Sequence, residues 1–158
     1  TMPNWTDVRV AVTHDDAFMI KQLQAIFDRG QPFNQIIPMP DDIMRDNITY
    51  EERKASDGKN WYDWSIQHWG TKWDAHQVST ELVDKNTLNI YMETAWSPPI
   101  PVFDRLILEY KYNIHAMYLD EGWNFIGEYI DGVEFTHDVS NAPDHLRDEF
   151  SEALLQEE

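Results

Sequence analysis

The stretch from Thr87 to Leu119, TLNIYMETAWSPPIPVFDRLILEYKYNIHAMYL, reads as strand, helix, strand. Leu88, Ile90 and Met92 alternate with Asn89, Tyr91 and Glu93, the period of two that a strand with one buried face requires. Ser97 then offers a helix N-cap oxygen, and Pro98 suits a first helical position, where no backbone N–H is needed. Phe103, Leu106, Ile107 and Tyr110 recur at helical spacing and predict a buried stripe. Strand alternation resumes over 113–119.

Working outward, 77–83 pairs with 87–95 around the Asp84-Lys85-Asn86 turn. Near the start, Val8, Val10 and Val12 mark a strand over 5–13. Thr13 with Asp16 resembles a capping box, with Asp for the usual Glu. Met19, Leu23, Ile26 and Phe27 follow helical spacing to Gly30. The order β-α-β-β-α-β is that of the split βαβ, ferredoxin-like arrangement. The fold class is therefore α+β: an antiparallel sheet with two helices on one face, within a single domain over 1–158.

Two additions decorate that core. Residues 31–76 form an insertion after the first helix, punctuated by Pro32, Pro38 and Pro40, with a short turn or helix near 41–55. Its last part predicts a helix stopped by Gly70, with Tyr62, Ile66 and Trp69 on one face and Trp61, Trp64 and His68 on the next. After 119, strands over 123–130 and 133–139 are joined through Glu121-Gly122 and Asp131-Gly132 hairpin signals. Asn141 and Pro143 then open a terminal helix with Leu146, Phe150, Ala153 and Leu154 inward. Either the insertion or this terminal helix is expected to cover the sheet face that the two core helices leave open.

Charge separates the two ends. The chain of 158 residues carries 29 acids and 12 bases, a net charge of -17. Residues 120–158 hold 12 acids and one base; residues 1–119 hold 17 and 11. Such a surface repels phosphate and attracts basic protein surfaces. With no cysteine, thiol catalysis, disulfides and thiolate metal sites are excluded. No apolar run reaches the roughly 18 residues of a membrane helix. Thr1 reads as an addition ahead of a natural start at Met2, with no leader expected, and a cytoplasmic location follows as the expectation.

Four segments carry a family resemblance. They are Met2-Pro3-Asn4-Trp5; Phe33-Asn34-Gln35-Ile36-Ile37-Pro38-Met39-Pro40; Trp61-Tyr62-Asp63-Trp64 leading to Trp69-Gly70-Thr71-Lys72-Trp73-Asp74-Ala75; and Glu93-Thr94-Ala95-Trp96-Ser97-Pro98-Pro99. In this order, across roughly residues 2–131, the chain resembles the YubB-type ferredoxin-like domain family of phages and conjugative plasmids. The resemblance implies a mobile-element origin and a ferredoxin-like fold, and no reaction. It departs at Thr6, where family members often carry a cysteine. A ferredoxin-like fold does not imply an iron–sulfur cluster, which needs cysteine ligands.

Catalytic patterns are weak. Gly70-Thr71-Lys72 lacks the rest of a phosphate loop, and the histidines at 14, 68, 76, 115, 137 and 145 show no metal-ligand spacing. Ser65 and Ser97 lack a nucleophile-elbow context. No cofactor or metal is expected, and an enzyme is the least supported reading. The acids Asp120, Glu121, Glu128, Asp131, Glu134, Asp138, Asp144, Asp148, Glu149 and Glu152 fall instead on hairpin strands and a helix that could hold them rigidly. Rigid carboxylates can imitate duplex phosphates. The expectation is an interaction protein that binds a basic surface of a host protein, one that itself binds nucleic acid, as a DNA mimic against restriction or CRISPR defence. The alternatives are a peptide- or nucleic-acid-binding module built on Trp61 and Trp64, or a structural protein. Pairing of two copies through a sheet edge or the open face is compatible with the architecture.

Overall fold

A computed structural model describes residues 3–155. In chain order its elements are β1 (Trp5–Thr13), α1 (Ala17–Asp28), α2 (Pro32–Ile36), α3 (Tyr50–Ala55), α4 (Trp61–Trp69), β2 (His76–Asp84), β3 (Thr87–Ala95), α5 (Ile100–Tyr110), β4 (Asn113–Asp120), β5 (Ile126–Ile130), β6 (Val133–His137), a 3-10 turn (Val139–Asn141), α6 (Asp144–Glu149) and α7 (Ser151–Leu155). The strands form one sheet in the order β2-β3-β1-β4-β5-β6, every neighbour antiparallel. Strands β2-β3-β1-β4 with α1 and α5 make the ferredoxin-like core. The β5-β6 hairpin extends the sheet past β4.

Strand alternation sorts the residues as the period of two requires. Val8, Val10 and Val12 of β1, Leu88, Ile90 and Met92 of β3, and Ile114, Ala116 and Tyr118 of β4 all enter the main core. They meet Ile20, Leu23 and Phe27 of α1 and Val102, Phe103 and Leu106 of α5. Burying such side chains is worth about 1.5–3 kcal/mol each, and this layer holds the sheet to its helices. The α5 stripe differs from its sequence reading at one end: Val102 is buried, while Tyr110 is largely exposed.

The insertion joins the same layer. Phe33, Ile36, Ile37, Ile43, Trp64 and Trp69 belong to the main core cluster, so the insertion thickens the helix side. The terminal segment covers the opposite face. There Leu119 and Ile126 of the sheet bury Ala142, Leu146 and Phe150, with Trp123, Ala153 and Leu154 partly buried around them. Of the two candidates for covering the open face, the terminal helix does so, over β4 and β5.

Local chemistry corrects several details. Asp16, not Thr13, caps α1: its carboxylate accepts from Phe18 N at 2.9 Å. Ser97 caps no helix; its Oγ donates to the Gly70 carbonyl, and α5 starts later, without a side-chain cap. Ile66 is largely exposed on α4, whose buried face is Trp64, Ser65 and Trp69. The terminal helix is interrupted at Phe150, whose backbone leaves helical geometry. Asp131 (φ 44) and Gly132 (φ 103) make the tight two-residue hairpin foreseen between β5 and β6.

Candidate functional site

The tryptophan-rich segments form a structural joint. Trp69 Nε1 donates to the Ile37 carbonyl at 2.9 Å, and Thr71 Oγ1 to the Ala95 carbonyl at 2.7 Å. The Asp74 carboxylate accepts from Phe33 N, Asn34 N and Ala75 N. Burial pushes the Asp74 carboxyl above its usual range, partly offset by these three N–H donors. Gly70 (φ 79) lies so close to α5 that an added Cβ would stand 2.5 Å from Pro101 Cδ. The conspicuous segments of the insertion and of β3 thus meet one another, and their polar groups are spent on backbone.

Trp61 and Trp64, the stacking candidates, do not form an open platform. Trp64 is 8% exposed, stacked on His68 and edge-on to Trp69; it is a core residue. Trp61 is partly buried, and its indole donates to the Asp46 carbonyl at 3.1 Å. Lys72 sits over three rings, 4.6 Å from Trp73, 5.1 Å from Trp96 and 5.7 Å from Tyr62. Its short Gly-Thr-Lys motif therefore serves an aromatic box, and sequence reasoning missed that role because Tyr62 and Trp96 reach Lys72 only through the fold.

The acids of the terminal region divide into two groups. Asp120 is buried and accepts from Gly122 N, Asn124 N and Asn124 Nδ2, so it closes the β4–β5 loop. Glu128 is also buried, and its two oxygens meet His115 Nε2 at 2.9 Å and His145 Nε2 at 2.8 Å. Burial raises the Glu128 pKa, but the two imidazoles outweigh it and hold the carboxyl below its usual range. Asp131 accepts from Ile114 N, Glu121 from Trp5 N, and Glu149 pairs with Arg9 at 2.9 Å. These five are partnered, and the buried Asp120 and Glu128 are unavailable to a partner protein. Glu134, Asp138, Asp144, Asp148 and Glu152 are exposed.

Asp144 and Asp148 lie four residues apart on α6, about 6 Å along its axis, and share one stripe; Glu152 follows the break at Phe150, on α7. Their support is anchored. Leu146 and Phe150 are buried, the Arg9 guanidinium lies 4.5 Å from the Phe150 ring centre, and His145 reaches Glu128.

Between the terminal helix and the uncovered strands lies a cleft of about 900 Å³. Its register is simple. Glu93 of β3 stands opposite Asp7 of β1, and Asp7 opposite Leu119 of β4, all on the open face. In the next row Tyr91 stands opposite Arg9. Trp5, Glu121 and Trp123 complete the walls. Sequence reading singled out only Glu121 among these residues as a contact residue; the others are brought together by strand register and by the loop before β5.

Among the described residues, no helix is long and apolar enough to cross a membrane, and no three acids or histidines converge as metal ligands.

The geometry defines a ferredoxin-like α+β domain whose second sheet face is partly covered by an acidic terminal helix. The chain belongs to the family described as the ferredoxin-like domain in Api92-like protein, whose model matches residues 68–153. The chain is similar in fold to the crystal structure of the protein Api92 from Yersinia pseudotuberculosis, with a TM-score of 0.54 at 9% identity, over 89% of this chain and 99% of that one. No curated protein matches the sequence.

Proposed function

We propose that this protein is an acidic interaction protein, encoded by a phage or conjugative plasmid, that occupies a basic surface of a host protein in the cytoplasm. The observation that carries this reading is the exposed set of Asp144 and Asp148 on α6 and Glu152 on α7, in a terminal segment anchored to the sheet. Asp144 and Asp148 are a like-charge pair four apart on α6, which costs a helix roughly 0.2–0.5 kcal/mol, although Asp144 and Glu152 also lie in first turns, where a carboxylate suits the helix dipole. Held on a packed support, the carboxylates lose little freedom when a partner binds. The mobile-element origin rests on the YubB-type resemblance of the four segments. The finer reading is that the basic surface is one built for nucleic acid, which makes the chain a DNA mimic against restriction or CRISPR machinery. The net charge of -17 supports that reading and disfavours direct nucleic-acid binding.

The test is capture from host lysate with the full chain and with a triple variant, Asp144→Asn, Asp148→Asn and Glu152→Gln, at low and moderate salt. The expected outcome is a nucleic-acid-binding partner that salt releases and the triple variant fails to hold. Capture of no basic partner, or capture indifferent to the substitutions, overturns the reading.

A further inference from the structure

We infer that the cleft on the open sheet face binds a single arginine side chain of a peptide segment, its guanidinium held by Asp7 and Glu93 between aromatic walls. The inference rests on the proposed function for the source of the arginine, but the site itself is argued from local geometry.

Two carboxylates directly opposite on neighbouring strands repel one another and destabilise the sheet. Asp7 and Glu93 are such a pair. The chain neutralises the pair only in part. Arg9 reaches Asp7 at 3.1 Å, but its other terminal nitrogen is committed to Glu149 at 2.9 Å. Among the described residues, no side-chain hydrogen bond or ion pair reaches Glu93. Glu121 adds a third carboxylate to the wall; the basic groups beside it are Arg9, tied to Asp7 and Glu149, and His76 of β2, opposite Glu93. A cation placed there would offset the repulsion that the sheet otherwise bears.

Trp5, Tyr91 and Trp123 supply the remaining walls. A cation over an aromatic face gains from the ring quadrupole, and arginine does so most often because its flat guanidinium can stack while bonding in plane. The same molecule uses this chemistry nearby, where Lys72 lies over Trp73, and Trp73 lies 5.9 Å from Trp5. Paired carboxylates fit the two-pronged donor set of a guanidinium better than the point charge of an ammonium. The volume of about 900 Å³ is ample for an arginine and its flanking backbone.

The test uses the full chain labelled with 15N, titrated with the peptide Gly-Ser-Gly-Arg-Gly-Ser and with versions carrying lysine or citrulline in place of arginine. The expected result is a saturable shift of the Trp5 and Trp123 indole signals with the arginine peptide, weaker with lysine and absent with citrulline. Glu93→Gln should weaken arginine binding roughly tenfold or more while raising the thermal midpoint, because it removes the like-charge pair. A purely structural Glu93 would instead lower the midpoint. Trp123→Phe, which keeps a ring in the wall, should retain part of the affinity. Equal binding of citrulline or lysine, or arginine binding unmoved by Glu93→Gln, overturns the inference. The two readings fail separately. Partner capture that needs Asp144 and Asp148, without arginine binding in the cleft, overturns the cleft alone. Arginine binding without a captured partner overturns the proposed function alone.

Discussion

On the helix-covered side of the sheet, Trp69, Thr71, Asp74 and Ser97 each find a backbone partner inside the chain. On the opposite side, Asp7 lies beside Glu93, and Asp144, Asp148 and Glu152 face solvent. The difference lies in how unusual residues are used. Buried polar groups must be satisfied, because an orphaned one costs about 1–3 kcal/mol. The rare residue types of the insertion meet that demand and so become architecture. On the open face water satisfies the polar groups, so charge patterns there are under no such constraint, and like-charge pairs that the fold does not need become informative.

The comparison can be broken by removing one anchor from each side. Trp69→Ala should cost about 3–5 kcal/mol of global stability, read by denaturant unfolding, because it removes a buried ring that joins the insertion to the core. Phe150→Ala should cost a similar or smaller amount, but locally. Hydrogen exchange should show protection lost over 144–155 with β1, β3 and β4 still protected. Uniform loss of protection in both variants would mean that the two sides unfold as one unit, and the contrast would fail.

A smaller effect sharpens the hinge between the sides. Glu128 ties β5 to β4 through His115 and to α6 through His145. Its carboxyl is depressed in the folded state, so its contribution is fully present above the unfolded carboxyl pKa of about 4.3 and is lost as pH falls through the lower folded value. Glu128→Gln should cost about 1–3 kcal/mol near neutral pH and flatten the acid limb of a stability-against-pH curve. An unchanged acid limb would show that the imidazoles do not hold the carboxylate.

The smallest expected effect tests the covered side. Thr6 is fully buried, and its Oγ1 has no partner among the described residues. Thr6→Val keeps the shape and removes the orphan, so stability should stay level or rise by up to about 1 kcal/mol. A clear loss in thermal unfolding would mean that the hydroxyl is satisfied after all. This is also the position at which members of the family that the chain resembles often carry a cysteine. A thiol, being a weak hydrogen-bonding group, suits an unpartnered site better than a hydroxyl does.

The alternation of Val8, Val10 and Val12, and of Leu88, Ile90 and Met92, determined the sheet from the sequence alone. Side-chain period and local turn chemistry are properties of neighbours in the chain, and the Asp131-Gly132 hairpin was legible for the same reason. The inward face of the terminal helix was legible too, in Leu146 and Phe150. The partners of side chains were not. Ser97 has the chemistry of a cap, but the fold sets it against the Gly70 carbonyl. Trp64 looked available until Trp69 and His68 closed around it. Asp120 and Glu128 looked like display charges until loop N–H groups and two imidazoles claimed them. The choice of the terminal helix over the insertion as the cover of the open face, and the meeting of Asp7 with Glu93, likewise belong to tertiary structure. Register and packing bring together residues far apart in the sequence, and no local pattern encodes which of them will meet.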